Sequence, residues 1–132
     1  MIDEILLIED DDIDVLAFRR AAEGFGWRIA VARSADEAIA QLSVGSGRRP
    51  LIVLDLNLPG LDGHGFLARL RADASLASIP VVVLTTSTDR RDITRAYGAQ
   101  IVGYFAKPLD RGAFRAVVTA IHDYWSLAEP PP

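Results

Sequence analysis

The sequence predicts an α/β fold in which helices cover both faces of a five-stranded parallel sheet. Five short aliphatic runs alternate with segments of helical spacing, as in repeated strand–helix units. The middle run, Leu51–Leu54, is apolar throughout, which is typical of a strand buried on both faces. This run ends at Asp55, and the turn-forming sequence Leu58-Pro59-Gly60 follows closely. Asp55 is therefore expected at the carboxyl end of a central strand, where such sheets bind their ligands.

The composition is that of one globular domain. With 132 residues, half of them hydrophobic, the chain is long enough for a core and too apolar to be disordered. A formal net charge of −4 argues against general nucleic-acid binding, and the absence of Cys excludes disulfides, thiolate metal sites and cysteine nucleophiles. No apolar stretch reaches the roughly 18 residues of a membrane span, and the N-terminus lacks the basic region of a signal peptide. We expect a cytoplasmic protein without a membrane or nucleic-acid partner.

The chain begins with a predicted strand, a helix and a second strand. Glu4–Ile8 is an apolar run and the first strand. The helix is expected from about Asp12 to Glu23, because Asp11 or Asp12 can cap it and two glycines end it. The run Trp27–Ala32 has an alternating pattern and is the second strand. The candidate buried stripe of the helix is Ile13, Leu16, Ala17 and Phe18.

The middle of the chain adds two helices around the third strand. Ser34 and Glu37 form a capping box, which predicts a helix that reaches about Val44. Gly45–Pro50 is then a loop before the strand Leu51–Leu54. The next helix, from about Gly65 to Ala72, presents the apolar residues Phe66, Leu67 and Leu70.

The last third of the chain repeats the strand–helix unit twice. Val81–Leu84 is the fourth strand, and a short helix follows over Asp89–Gly98. Ile101–Phe105 is the fifth strand, and the last helix is expected over Arg111–Leu127. The residues Pro130–Pro132 cannot extend that helix. Its apolar stripe at 4-3-4 spacing is Phe114, Val118, Ile121 and Trp125.

This element order limits the topology of the sheet. Parallel strands need crossovers, and right-handed crossovers favour a doubly wound sheet. We expect the flavodoxin-like strand order 2-1-3-4-5, with its switch point between the first and third strands. Glu9, Asp10 and Asp55 then share one crevice.

Several carboxylates in one crevice repel one another. Two charges about 4 Å apart cost about 4 kcal/mol at an effective dielectric constant near 20. Either some of them carry protons, with raised pKa values, or a cation lies between them. Because the ligands are oxygen atoms, the expected cation is a hard one such as Mg²⁺. Asp12 and Asp14 are interpreted instead as acidic residues of a helix start.

Two further strand ends carry polar groups. Thr85 ends the fourth strand, and Lys107 follows the fifth. With the acids these groups complete a set for phosphoryl transfer to a carboxylate. Asp55 is the candidate nucleophile, the cation and Lys107 neutralise charge on the phosphoryl oxygens, and Thr85 hydrogen-bonds an oxygen of the product.

Four motifs carry a family resemblance over essentially the whole chain. They are Leu7–Asp11, Leu54–Gly63, Val83–Thr85 and Gly103–Pro108. In order and spacing the sequence resembles the receiver domain of two-component response regulators. The resemblance implies that Asp55 accepts a phosphoryl group from a histidine kinase or a histidine phosphotransfer protein. Such a protein signals, and catalyses only its own phosphorylation and dephosphorylation.

The resemblance also implies roles for individual residues. Mg²⁺ would be bound directly by Asp10 and Asp55, through water by Glu9, and by the backbone carbonyl of Asn57. The phosphate would be contacted by Lys107. Thr85 and Tyr104 would form the switch pair, and the peptide bond before Pro108 would be cis.

A finer resemblance concerns the subgroup. Ile8–Asp11, Leu84–Ser87 and Tyr124-Trp125 are similar to single-domain regulators that accompany bacterial phytochromes. This implies a bacteriophytochrome as the kinase. Residues 1–127 are then the receiver domain and residues 128–132 a proline-rich tail, with no output domain.

Three other functions compete with this interpretation. A haloacid-dehalogenase-like phosphatase needs a second Asp as general acid where this chain has Asn57. A flavodoxin-type flavin protein needs a phosphate-binding loop after the first strand, where this chain has acids. The third alternative is an interaction module that works without phosphorylation. Such a module would not need the acids after the first strand together with Asp55, Thr85 and Lys107.

Exposed apolar residues predict a self-association face. In the fourth helix Ile93 and Tyr97 share one face at i, i+4 spacing. Val117 and Tyr124 lie beside the buried stripe of the last helix, and Tyr104 lies in the fifth strand. One apolar patch from these residues would favour an isologous homodimer through the fourth helix, fifth strand and last helix. We expect phosphorylation to tighten it by drawing Thr85 inward and repositioning Tyr104.

Overall fold

The computed structural model describes residues 2–44 and 49–132, and it confirms the predicted five-stranded parallel sheet. The strands pair in the order β2-β1-β3-β4-β5, and every described pairing is parallel. Of the predicted loop Gly45–Pro50, residues 45–48 lie outside the described ranges. In chain order the elements are β1 (Glu4–Ile8), α1 (Asp12–Ala21), β2 (Arg28–Ala32), α2 (Ala35–Ser43), β3 (Leu51–Leu54), α3 (Gly63–Ala72), β4 (Val81–Thr85), α4 (Arg90–Gly98), β5 (Gly103–Ala106) and α5 (Arg111–Leu127).

Each face of the sheet has its own apolar core. On one face α2, α3 and α4 contribute buried side chains, among them the predicted Phe66, Leu67 and Leu70. On the other face α1 and α5 do so. The predicted stripe of the last helix is confirmed, because Phe114, Val118, Ile121 and Trp125 are all buried. Within the described ranges no helix is both long and apolar enough to span a membrane.

The predicted buried stripe of α1 is partly wrong. Phe18 is buried, but Ile13 is 78% exposed and Leu16 is 48% exposed. Val15, Phe18 and Ala22 are buried instead, at the 3-4 spacing of a single helix face. The sequence contains two overlapping stripes, and packing against β1 and α5 buries the second.

Helix boundaries follow their caps. Asp11 caps α1, since its side chain accepts hydrogen bonds from the N–H groups of Ile13 and Asp14. Ser34 caps α2 by accepting from the N–H of Glu37, as predicted. Asp62 caps α3, and α3 therefore begins two residues earlier than the sequence suggested.

Arg71 ties two connections at the amino end of the sheet, opposite the predicted crevice. Its side chain is partly buried at the end of α3. The guanidinium donates hydrogen bonds to main-chain carbonyls in the segments that lead into β4 and β5. The accepting residues are Ala77, Ile79, Ala99 and Gln100. One side chain thus fixes where two strands enter the sheet.

Candidate functional site

The first and third strands end side by side. Ile8 is paired with Leu54 in the parallel register. The Asp55 N–H donates to the Ile8 carbonyl at 3.1 Å, and the Glu9 N–H donates to a carbonyl of β2 at 2.9 Å. The ladder therefore continues one residue past the strands. Glu9 and Asp55 emerge at the same edge, as the predicted strand order requires.

The fourth and fifth strands bring the other two groups to that edge. Thr85 is paired with Ala106. The Lys107 N–H donates to the Thr85 carbonyl at 2.6 Å. The Lys107 side chain can therefore reach across β4 toward β3.

Asp55 is almost fully buried, and both of its carboxylate oxygens accept hydrogen bonds. Oδ1 accepts from the Thr85 hydroxyl at 2.8 Å and from the Asn57 N–H at 3.0 Å. Oδ2 accepts from Lys107 Nζ at 2.8 Å. Burial alone would raise the pKa of Asp55, but these hydrogen bonds and the charge of Lys107 outweigh it and lower the pKa below its ordinary value. Asp55 is therefore an ionised carboxylate at neutral pH.

Lys107 is the cation of this site. Its ammonium group contacts the carboxylates of Glu9, Asp14 at 2.9 Å and Asp55 at 2.8 Å, and its side chain is only 8% exposed. Burial acts to lower the pKa of Lys107, but the bonds to Asp55, Glu9 and Asp14 raise it above the ordinary value. Lys107 stays charged throughout the physiological range.

Glu9 is a buried acid that contacts Lys107. Its Oε2 accepts from the Asp10 N–H at 3.0 Å, and its other oxygen contacts Lys107. Burial raises the pKa of Glu9 to about 7, against the lowering effect of the Lys107 hydrogen bond and charge. The nearby charge of Asp55 raises it further. Near neutral pH this acid therefore titrates between its neutral and ionised forms.

Asp14 is a site residue that sequence reasoning missed. The sequence predicts an ordinary acid of a helix start at this position, but Asp14 accepts a hydrogen bond from Lys107. Its carboxylate oxygen lies within 4.8 Å of oxygens of Glu9 and Asp55. Asp14 precedes the buried Phe18 by four residues and so shares its helix face, which was the signal available in the sequence. Asp10, predicted in the same crevice, is exposed and lies outside this group.

The donor set fits a hard divalent cation. When Glu9, Asp14 and Asp55 are ionised, one ammonium neutralises only part of their charge. Carboxylate oxygens are the ligands that Mg²⁺ prefers, and Mg²⁺ retains several waters in such sites. The side-chain amide of Asn57 donates to the Thr86 hydroxyl at 3.2 Å. The ligand that the family resemblance implies is the Asn57 backbone carbonyl.

The predicted switch residues lie on either side of the loop after β4. The Thr85 hydroxyl donates to Asp55 at 2.8 Å. The Tyr104 hydroxyl donates to the Ser87 carbonyl at 2.8 Å. Among residues 2–44 and 49–132 every peptide bond is trans. The expected cis bond before Pro108 is therefore wrong for this structure, in line with the intrinsic preference of X–Pro bonds for trans.

The five predicted interface residues come from the three expected elements, at the β5 edge of the sheet. Tyr97 and Tyr124 are about half exposed. Tyr104 packs against the core beneath α2, α3 and α4, whereas Val117 packs against the core beneath α1 and α5. Ile93 is partly buried. A patch made of these residues would have to wrap around β5.

Comparison with known families decides the assignment of the chain. The family described as the response regulator receiver domain matches residues 5–119, which include all four strand ends of the site. The chain belongs to this family. The receiver fold predicted from the sequence is thereby confirmed. Glu9, Asp55, Thr85 and Lys107 lie together at the carboxyl edge of its sheet.

Curated relatives of this receiver include other regulatory proteins. Rcp1 of Synechocystis is 39% identical over 80 residues, which are 61% of this chain and 54% of Rcp1. The probable methanogenesis regulatory protein FilR2 of Methanothrix harundinacea is also 39% identical, over 92% of this chain and 82% of FilR2. Several other relatives are transcriptional regulatory proteins, and the chain matches about half of their length.

Solved structures agree with this grouping. The phosphorylated cyanobacterial phytochrome response regulator RcpA superposes over the full length of both chains, with a TM-score of 0.90 and 33% identity. The Mn²⁺-bound form of Rcp1 has a TM-score of 0.87 and 30% identity, over 98% of this chain and 99% of that one. This receiver is thus similar in sequence and structure to a regulator named for a phytochrome, RcpA.

Mg²⁺ is expected to stabilise this receiver by relieving repulsion among the site carboxylates. An ion at ten times its dissociation constant adds about 1.4 kcal/mol to the free energy of unfolding. Thermal melts in EDTA and in millimolar MgCl₂ measure it. Asp10→Asn tests the ligand implied by the resemblance, and Asp14→Asn tests the acid found in the structure. The absence of a shift in the wild type, or an equal shift in Asp10→Asn, contradicts the predicted ligand set.

Proposed function

We propose that this receiver accepts a phosphoryl group on Asp55 within a two-component phosphorelay. The observation that supports this most strongly is the Asp55 carboxylate, which is buried, ionised and held on both oxygens at the carboxyl end of β3. An ionised carboxylate in a fixed orientation is a competent nucleophile. Thr85 and Lys107 lie within hydrogen-bond distance of it, where the transferred group would be.

The proposed reaction is an in-line displacement at phosphorus. An Asp55 oxygen forms the new P–O bond while the P–N bond to the donor histidine breaks. The leaving imidazole nitrogen keeps the electron pair and takes a proton. Lys107 turns from its carboxylate partners to the phosphoryl oxygens, and the Thr85 hydroxyl donates to one of them. A bound Mg²⁺ would supply further charge neutralisation, held by Asp55, Glu9, Asp10 or Asp14 and the Asn57 carbonyl.

We infer that the phosphoryl donor is a histidine kinase or a histidine phosphotransfer protein, and that the kinase is a bacteriophytochrome. RcpA, one of the similar structures, is named as a phytochrome response regulator and supports the phytochrome partner. In this proposal the receiver is a cytoplasmic signalling protein, and its only catalysis is its own phosphorylation and dephosphorylation.

Asp55→Asn is expected to abolish phosphorylation, because an amide is not a nucleophile toward phosphorus. Wild type and variant are incubated with acetyl phosphate and Mg²⁺, and intact-mass spectrometry counts the phosphoryl groups added. Asp11→Asn is the matched control, since Asp11 also follows a strand end but serves as the α1 cap. Uptake by Asp55→Asn at the wild-type rate, from acetyl phosphate or from a kinase, would refute the assignment.

We also propose that the output is a change of partner on the face formed by α4, β5 and α5, and that the partner is a second copy of this chain. The two half-exposed tyrosines, Tyr97 and Tyr124, support an interface there, since amphipathic aromatic side chains are enriched at interfaces. An isologous contact would bury both tyrosines of each copy.

Light scattering across protein concentrations is expected to show a monomer–dimer equilibrium, which beryllofluoride, a phosphoryl mimic, shifts toward the dimer. Tyr97→Glu combined with Val117→Glu should dissociate it by placing charges in the contact. A double Glu variant on the exposed side of α1, Ile13→Glu with Leu16→Glu, is the matched control. A strict monomer in both states, or a dimer that survives the Tyr97 and Val117 changes, contradicts the proposal.

A further inference from the structure

The Lys107 ammonium group has three N–H donors, and three carboxylates surround it. Lys107 Nζ lies 2.8 Å from Asp55 Oδ2 and 2.9 Å from Asp14 Oδ2, and it also contacts Glu9 Oε1. One donor is thus used for each acceptor. A phosphoryl oxygen at Asp55 can therefore bind Lys107 only in place of one of these carboxylates.

The three carboxylates differ in their contact with water. The side chains of Glu9 and Asp55 are 4% and 8% exposed, whereas that of Asp14 is 37% exposed. A buried carboxylate that loses its cation remains uncompensated, because water reaches it poorly. A partly exposed carboxylate is hydrated when it loses the same contact. Asp14 is therefore the acceptor that Lys107 leaves at the smallest loss of free energy.

The hydrogen bonds of the three acids lead to the same choice. Glu9 also accepts from the Asp10 N–H, and Asp55 also accepts from the Thr85 hydroxyl. Within residues 2–44 and 49–132, the Asp14 carboxylate has Lys107 as its only hydrogen-bond and ion-pair partner. A rotation of the Asp14 side chain on α1 thus ends its contact with Lys107 and disturbs no other bond.

We propose that Asp14 is a positioning residue that slows the phosphorylation of Asp55 by competing with the phosphoryl group for Lys107. The proposal rests on the proposed function, since it names a residue that regulates the same transfer. Without the Asp14 carboxylate, one Lys107 donor binds water. A phosphoryl oxygen displaces that water more easily than it displaces a carboxylate, so the transfer becomes faster.

Two other roles of Asp14 predict different rates. The Asp14 carboxylate lies within 4.8 Å of oxygens of Glu9 and Asp55, and as a Mg²⁺ ligand it would make phosphorylation slower when removed. If its negative charge acted only at long range, removal of any acid at the start of α1 would have the same effect. Asp12 tests this, because it is exposed in the same turn and pairs with Arg33 instead of Lys107.

Phosphorylation rates distinguish these roles. Wild type, Asp14→Asn and Asp12→Asn react with acetyl phosphate at Mg²⁺ concentrations up to saturation, and intact-mass spectrometry follows the product. The bond from phosphorus to the acetate oxygen breaks, and acetate leaves with the electron pair. At saturating Mg²⁺, Asp14→Asn should react about fivefold faster than the wild type, the factor that corresponds to one partly exposed ion pair. Asp12→Asn should react at the wild-type rate.

The contact itself can be observed by NMR, because Lys107 is the only lysine of the chain. Lysine labelled with ¹⁵N at Nζ therefore gives a single ammonium resonance. In EDTA, exchange of these protons with water should be severalfold faster in Asp14→Asn than in the wild type, and unchanged in Asp12→Asn. A merely structural role of Asp14 would change thermal stability but neither this exchange nor the phosphorylation rate.

Equal phosphorylation rates in Asp14→Asn and Asp12→Asn overturn the proposal. A slower reaction of Asp14→Asn also overturns it and makes Asp14 a metal ligand, and unchanged ammonium exchange in this variant overturns it as well. If Asp14→Asn does not fold, Asp14→Ala is measured in its place. Failure of the phosphoacceptor assignment would appear separately, as uptake of a phosphoryl group by Asp55→Asn.

Discussion

A Lys107→Met variant is expected to unfold about 3 kcal/mol more easily than the wild type in EDTA at neutral pH, because removal of one partner from a buried ion pair leaves charges uncompensated. For a domain of this size that lowers the melting temperature by about 10 °C. Lys107 is the cation that contacts Glu9, Asp14 and Asp55, and the last two carboxylates would face each other without it. Millimolar Mg²⁺ should restore part of the loss. Chemical denaturation in EDTA and in Mg²⁺ measures both effects.

The same variant should lose at least a hundredfold in phosphorylation rate, the scale on which one preorganised electrostatic contact acts in a transition state. Arg69→Met is the matched control, since it also removes a cation from an ion pair, with Asp36 on the exposed surface. Exposed pairs contribute only about 0–1 kcal/mol. If Lys107→Met costs no more stability in EDTA than Arg69→Met, Lys107 is not the counter-ion of the site.

The metal-free receiver is expected to lose stability as the pH rises from about 4.5 to about 7. Folding raises the pKa of Glu9 from its ordinary value of 4.5 to about 7, so the folded protein binds this proton more tightly than the unfolded chain does. Stability therefore falls with pH between the two values, by up to about 3 kcal/mol at 1.36 kcal/mol per pKa unit. The lowered pKa of Asp55 acts below this window, and the raised pKa of Lys107 acts above it.

Glu9→Gln should remove this slope while keeping the shape of the side chain. Urea unfolding in EDTA at several pH values gives the free energy for both proteins, and subtraction cancels the contribution of every other titrating group. The wild type should lose stability relative to Glu9→Gln across the window. Parallel curves would mean that Glu9 has the same pKa in the folded and unfolded states.

Most of the fold could be predicted from the sequence because the informative signals were local. Uninterrupted aliphatic runs gave the strands, and the position of Asp55 after one of them gave the edge at which the site forms. Capping residues such as Ser34 set helix starts. The buried face of α1 could not be chosen in this way, since Val15 and Ile13 belong to two equally regular stripes and only the packing against β1 and α5 distinguishes them.

The sequence predicts those residues of the site that lie directly at the ends of strands. Glu9, Asp55, Thr85 and Lys107 lie at the carboxyl edge because their backbone positions follow from the strand order. Asp14 enters the site from a helix, so its place depends on how α1 is rotated, and this was the feature assigned incorrectly. The contact between His64 and Asp92 joins residues 28 positions apart in two different helices, and no local pattern indicates it.

The hydrogen bonds made by the Arg71 guanidinium affect which positions of this sequence can change during evolution. The four acceptors are main-chain carbonyls, which every amino acid possesses. Substitution at an acceptor position such as Ala77 leaves the accepting carbonyl in place, whereas loss of the Arg71 guanidinium removes the donors of all four bonds together. The two connections can therefore diverge in sequence while this single position stays under strong selection. A deep mutational scan should show fewer tolerated substitutions at Arg71 than at Ala77, whose carbonyl it binds.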